Sequence, residues 1–216
     1  GGALVGQSQG WQADLIDIWL YGFLAIVLML IAGFLCEKIL LHSFSNTKEI
    51  IEDQNLGTAF VEAGIHIANG LIVLAIVQGE GPLVSGIAFW LLAQVVFIVA
   101  GRLYEMITPH SIHDELERDN AAVGLAFAGL LVGMGNIISI AVAGDYSGWQ
   151  VGLQVFAMDV GFGFVALYGI HKLTDVILAP GISLGSEQVK QQPNVGAGLI
   201  EAIGYLGGST LIVWIF

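Results

Sequence analysis

Six long apolar runs alternate with short polar segments along the chain, at approximately residues 16–39, 56–77, 83–106, 121–143, 149–173 and 195–216. Each reaches the about 18–20 residues that a helix needs to cross a hydrocarbon layer of roughly 30 Å. The pattern predicts an all-α polytopic membrane protein with six transmembrane helices. Little chain remains outside the runs, so residues 1–216 read as a single membrane domain.

The polar segments differ in charge. Lys38 and Lys48 flank the connection between the first two runs, Arg102 and Arg118 that between the third and fourth, and Lys172 and Lys190 that between the fifth and sixth. The two other connections carry no basic residue, and neither do the termini. Lys and Arg beside membrane spans stay preferentially on the cytoplasmic side, whereas acids contribute little to orientation. Loops 40–54, 107–119 and 174–193 are therefore expected in the cytoplasm, with both termini outside. Gly1 is not a translated start, so an upstream segment is expected. A removed signal would suit an outward N-terminus, although residues 1–12 lack the basic region of one.

Composition changes this picture only by exclusion. At 56% hydrophobic and 11% charged residues, with a mean hydropathy of +0.83, the chain has too little polar surface for a soluble domain. A formal net charge of −12 disfavours nucleic acid as a partner. The expected partners are the lipid bilayer and either further copies of the chain or other membrane proteins. Cys36 is the only cysteine, so neither an intrachain disulfide nor a CxxC motif is available. No nucleophile–base set, phosphate loop or cofactor motif occurs. The chain is not expected to be an enzyme, and no cofactor or metal is assigned to it.

The runs pair into three hairpins in one orientation, approximately residues 11–80, 81–145 and 146–216. Asn55, Asn120 and Asn194 each open an even-numbered run. Four residues on stand Ala59, Gly124 and Gly198, and eight on stand Ala63, Ala128 and Ala202. Thirteen on are Ala68, Gly133 and Gly207, and fifteen on are Gly70, Gly135 and Ser209. In the odd runs Gly33-x-x-x-Glu37 matches Gly101-x-x-x-Glu105, and Gly169 holds the third position with Leu173 in place of the acid. Such matching indicates an internal repeat. Offsets four, eight and fifteen fall on one arc of a helix, where small residues let backbones approach closely in lipid. The even helices are expected to be buried packing elements. Asn is a favoured N-cap, so the three asparagines read as helix caps or, alternatively, as groups at a cytoplasmic mouth.

Glu52-x-x-Asn55-x-Gly57-x-Ala59, Glu117-x-x-Asn120-x-Ala122-x-Gly124 and Pro193-Asn194-x-Gly196-x-Gly198 together resemble the bacterial inner-membrane family called domain of unknown function 350, the YjfL-like proteins. The third copy lacks the Glu three residues before its Asn. The resemblance covers nearly the whole chain and implies tandem two-span units in a bacterial inner (plasma) membrane. It suggests an envelope-stress or polyamine-related context and implies no reaction.

Three acids fall well inside the runs, away from their ends: Glu62, Asp159 and Glu201. An intramembrane acid costs at least about 2.5–3.5 kcal/mol on insertion scales, so it is expected to face protein or water. Glu62 and Glu201 share the position seven after the Asn, where the middle copy has Phe127. Four further on stand His66, Leu131 and Tyr205. Asn55, Glu62, His66 and Asn69 share one side of their helix. At 1.5 Å per residue His66 lies about 16 Å in from Asn55, near the depth of Tyr205 and Asp159. The expectation is one polar interior holding Glu62, His66, Asn69, Asp159, Glu201 and Tyr205, sealed by the fourth run. Four uses remain open: a register-fixing polar cluster, a proton or cation site, a metal site, or a site for an amine or lipid. Glu62-x-x-x-His66 has neither the second His of a helical zinc motif nor di-iron spacing. His42, His110, His113 and His171 are expected as interfacial histidines. Two functions follow: a small channel or transporter-like protein with a proton- or cation-binding interior, or a structural or accessory subunit of an envelope assembly.

Overall fold

The computed structural model describes residues 10–41, 45–79, 81–108, 110–143 and 146–215. His42 and Pro109 lie outside the described residues. Among these residues there are helices and turns and no strand. Six helices are long and apolar enough to cross a membrane: α1 (Trp11–Ile39), α2 (Leu56–Gln78), α3 (Leu83–Ile107), α5 (Ala121–Val142), α6 (Trp149–Leu178) and α8 (Val195–Ile215). Between them lie a π-helical turn (Lys48–Glu52) and two short helices, α4 (Ile112–Glu117) and α7 (Leu184–Gln188). The protein is a multi-pass membrane protein in a lipid environment.

Two spans are longer than their apolar runs. Helix α1 starts at Trp11, before its run, because Gln12 and Asp14 lower the hydropathy but do not break the helix, and the break falls at Gly10, whose φ of 117° suits glycine. Helix α6 runs on through Thr174 and Asp175 until Pro180, which cannot continue it. Neither extension contains a residue that stops a helix; each carries polar or acidic residues that lower its hydropathy.

The core is a stack of three helices. Helix α5 lies between α2 and α8 and packs on both, while α1 leans on α2, α3 on both α5 and α2, and α6 on α5 and α8. Burial follows this order: of the most apolar 18 residues of each span, 72% are buried in α5, against 50% in α2, 39% in α8 and 11% in α1. Small residues make the stack possible. A Cβ added to Gly124 of α5 would lie 2.3 Å from Gly57 O of α2, and one on Gly135 would lie 2.5 Å from Ala68 Cβ. On the other face, a Cβ on Gly129 would meet Ala202 Cα at 2.3 Å, and one on Gly198 would meet Ala122 O at 2.2 Å. The offset-four, -eight and -fifteen arc of α5 thus faces α2, and the same arc of α8 faces α5. The opposite arc, at offsets two, nine and thirteen, supplies the partner surface: Gly57, Gly64 and Ala68 on α2, and Ala122, Gly129 and Gly133 on α5.

The odd helices dock in a register that glycine alignment does not give. His66 Nε2 lies 3.7 Å from the Cβ position of Gly33, Leu131 Cδ2 lies 3.7 Å from that of Gly101, and Tyr205 stacks on His171 with centroids 5.6 Å apart. His171, not Gly169, therefore stands where Gly33 and Gly101 stand. Four residues on from His171 is Asp175, as Glu37 and Glu105 lie four on from Gly33 and Gly101. Trp11, Trp149 and Trp214 all lie exposed at the end of the bundle opposite the basic loops, as interfacial aromatics do.

Candidate intramembrane acid sites

Each asparagine first organises its helix start. Asn55 Oδ1 accepts from Thr58 N at 2.9 Å, Asn120 Oδ1 from Ala122 N and Val123 N at 3.1 and 3.3 Å, and Asn194 Oδ1 from Ala197 N at 3.3 Å. The side-chain amide reaches elsewhere. Asn55 Nδ2 donates to Glu49 of its own loop (3.0 Å) and to Leu116 O of the following loop (2.6 Å). Asn120 Nδ2 does the same with Glu115 (2.6 Å) and Gln188 O (2.9 Å). Asp119 Oδ1 also accepts from Leu56 N at 2.8 Å, closing the α2 terminus from the next loop. Asn55 and Asn120 are each 3% exposed, and they tie neighbouring loops together at one end of the stack.

Glu201 is the most enclosed of the three acids, at 3% exposure on α8. Gln188 Nε2, from the end of α7, donates to its Oε2. Its Oε1 accepts from Tyr205 Oη at 3.2 Å and Tyr104 Oη of α3 at 3.4 Å. His171 Nδ1 of α6 stands 3.1 Å from the same oxygen, at ion-pair distance. His171 also stacks on Tyr205, and Tyr104 meets Tyr205 edge-on. Four elements thus converge on one carboxyl. Lys172, adjacent to His171, is exposed and turns to the Tyr168 ring.

Glu62 occupies a separate, more open site. Its Oε2 accepts from Asn46 Nδ2 at 2.8 Å, and its Oε1 lies 3.4 Å from His66 Nδ1, which itself lies 3.0 Å from Glu62 O. The side chains of Glu62 and His66 are 24% and 53% exposed. They line a groove of about 510 Å³ between α1 and α2, together with Gly33, Phe34 and Glu37.

The structure does not bring the expected residues into one interior. Helix α5 separates Glu62 on α2 from Glu201 on α8, and Phe127 fills the equivalent α5 position, 3% exposed and stacked on Tyr104 at 5.9 Å. Asn69 leaves the Glu62 group as well. Its Nδ2 donates to Ile65 O at 2.9 Å, its Oδ1 accepts from Gln94 Nε2 at 2.9 Å, and it touches Cys36 Sγ at 3.7 Å. Asp159 is half-buried on α6 and joins neither group. The physical reason is the close helix stack: no room is left beside α5 for a common cavity. Among the described residues no three His, Cys, Asp or Glu side chains converge on a metal-sized point.

Two histidines depart from the interfacial expectation. His113 is 8% exposed, with Nδ1 on Glu105 and Nε2 3.0 Å from Leu40 O, so it joins the ends of α1 and α3 to α4. His171 belongs to the Glu201 site. Burial pushes the pKa of His110, in the α3–α4 connection, below its ordinary value, with Glu115 and Glu201 opposing the shift.

The sequence reading missed Tyr104, Gln188, Asn46 and His171 as partners of the acids. The signal available for His171 was its register with Gly33 and Gly101. Gln188 and Asn46 come from the connections between spans and left no periodic signal.

Comparison with known families agrees with this architecture. The model described as Domain of Unknown Function (DUF350) matches residues 1–77 and 80–216. The chain belongs to the DUF350 family. It is also similar to UPF0719 transmembrane protein YshE of Bacillus subtilis (strain 168), at 24% identity over 136 residues. That match covers 62% of this chain and 99% of the relative. No solved structure matches it. The similarity to a transmembrane protein accords with the six apolar helices.

Proposed function

We propose that this DUF350 protein is a small channel or transporter-like membrane protein that binds a proton or cation at Glu201. The observation that carries the reading is the Glu201–His171 contact of 3.1 Å at 3% exposure within the spans. A carboxyl next to an imidazole can pass a proton between two held positions, and an intramembrane ionisable pair is a functional candidate by default. Tyr104, Tyr205 and Gln188 supply the polar contacts that orient the pair. No Lys or Arg contacts Glu201 among the described residues. Glu62 and His66 form a second, more accessible acid–imidazole pair at the lipid-facing groove. The reading assigns no reaction to either site, and it takes the protein as non-enzymatic.

Purified protein in liposomes tests it by proton and cation flux. Wild type should conduct, and Glu201→Gln should reduce flux at least tenfold while the protein still elutes as a folded species. A tight bilayer with wild type, or undiminished flux in Glu201→Gln, rejects the reading.

The second reading is a structural or accessory subunit of an envelope membrane assembly. The small-residue surfaces of the stack favour it, because they are the surfaces that bring helices together in lipid. In either case we place the protein in the bacterial inner membrane with both termini outside. All six basic residues lie at or near the end of the bundle opposite the tryptophans.

A further inference from the structure

The α2·α5 and α5·α8 interfaces use the same pair of arcs. Offset two meets offset four in Gly57·Gly124 and again in Ala122·Gly198. Offset nine meets offset eight in Gly64·Ala128 and Gly129·Ala202. One operation therefore carries α2 to α5 and α5 to α8, and nothing in it closes the stack. Helix α8 still presents its offset-two, -nine and -thirteen arc: Gly196, Ile203 and Gly207 are all exposed, and a Cβ on Gly207 would meet nothing within 4 Å. Helix α2 presents the complementary arc, with Ala63 exposed, Ala59 and Gly70 half-exposed, and open space beyond Gly70.

Two polar features point the same way. Asn55 and Asn120 each donate to a carbonyl of the following loop, at the residue after Glu115 or Glu187. No loop after α8 is among the described residues to meet Asn194. Asn194 is exposed, and among the described residues no protein acceptor meets its Nδ2. The equivalent carbonyl would be that of Ile50, after Glu49. Conversely, Glu201 receives Tyr104 from the preceding hairpin and is enclosed, whereas among the described residues no hairpin before α1 meets Glu62, and its His66 stands 53% exposed. Among the described residues, each end of the stack lacks what the other end carries.

We infer that a second copy of this chain continues the stack head to tail, with α8 of one copy against α2 of the next, so that the neighbour's third hairpin completes the Glu62–His66 site. The contact is heterologous: unlike faces meet, and successive copies form a ring or a row according to whether the rotation closes. Ile203 stands where Gly64 and Gly129 stand, opposite Ala63, so the helices sit further apart at that level than within the chain. Gly196 opposite Ala59 and Gly207 opposite Gly70 keep the approach close at both ends. A relative that 62% of this chain covers almost completely, about two hairpins, fits a stack whose units add one after another.

Cysteine pairing in membranes tests the inference. In a Cys36→Ala background, Gly70→Cys with Gly207→Cys should give a ladder of dimers and larger species with a short thiol cross-linker. Either cysteine alone should stay at monomer size, because like faces do not meet. Wild-type protein in mild detergent should have the mass of two or more copies, a measurement independent of how the variants fold. A monomeric wild-type mass, with lipid alone covering the α8 face, overturns the inference. So does a single-cysteine variant that cross-links as well as the pair, or a folded pair that gives no ladder.

Discussion

Replacing Gly129 with valine should destabilise the bundle far more than the same change at Gly70, although both glycines lie within spans of similar hydropathy. At Gly129 the first added carbon would lie 2.3 Å from Ala202 Cα and 2.9 Å from Ala202 O, with Ala202 Cβ at 2.6 Å. Two of those atoms are backbone, so no rotamer change relieves the clash. Ordinary carbon contacts lie near 3.5–4.0 Å, so α5 and α8 must part by roughly 1.2–1.7 Å at that level. Overpacking of this kind costs about 1–3 kcal/mol, which for a chain of this size lowers the melting temperature by roughly 2–12 °C. At Gly70 an added Cβ meets nothing within 4 Å. Size-exclusion thermostability in mild detergent reads both variants against wild type. Equal melting temperatures for Gly129→Val and Gly70→Val would refute the assignment of α5 as the closely packed centre. Gly70→Val would instead weaken assembly if the neighbouring copy docks there, and that is read separately from the melting of the monomer.

Phe127→Glu should lower stability by about 3–5 kcal/mol, the range for losing a large buried aromatic, because it also sets a second carboxyl near the Tyr104 and Glu201 group; Phe127→Leu should cost distinctly less in the same melts. Thiol labelling from outside should reach cysteines at Gly79 and Tyr146 but not at Thr47, Ser111 or Ser186, and labelling at Thr47 would reverse the orientation. Thr47 is the better probe than its neighbour Asn46, which is 6% exposed and holds Glu62. Burial lowers the folded-state pKa of His110 below its unfolded value, so the contribution to stability is present above about pH 6.5 and is lost as pH falls through the folded value. His110→Gln should therefore flatten the loss of melting temperature between pH 7 and 5, and an unchanged slope would remove His110 from that loss.

The membrane class was legible because a span is a property of length and hydropathy, and both are local. The six helices accordingly fall on the six apolar runs, and the misplaced ends of α1 and α6 lie where charges entered a helix without a breaker. The stack was half legible. One arc of small residues stood out by matched offsets, but its partner arc at offsets two and nine is seen only when Gly57 and Gly64 are set against α5. The acid site was the least legible part. Depth along a helix follows from residue count, so Glu62 and Glu201 could be placed at matching depths. Which way each side chain faces depends on the crossing of neighbouring helices and on loops, and no period in the sequence encodes it.

That difference explains why the middle hairpin is the apolar one. A residue seven after the Asn points toward the odd helices and, on α2 and α8, finds a polar group brought by the connection before its helix: Asn46 for Glu62 and Gln188 for Glu201. On α5 the same position is closed in by Tyr104, whose hydroxyl is already directed to Glu201. An acid there would stand in low dielectric with no donor of its own. Phe127 instead stacks on Tyr104 and holds the hydroxyl on the neighbouring acid. The absence of an acid from the central helix is thus part of how the Glu201 site is built: the helix that packs on two sides supplies the wall, and the helix at the end of the stack supplies the ionisable group.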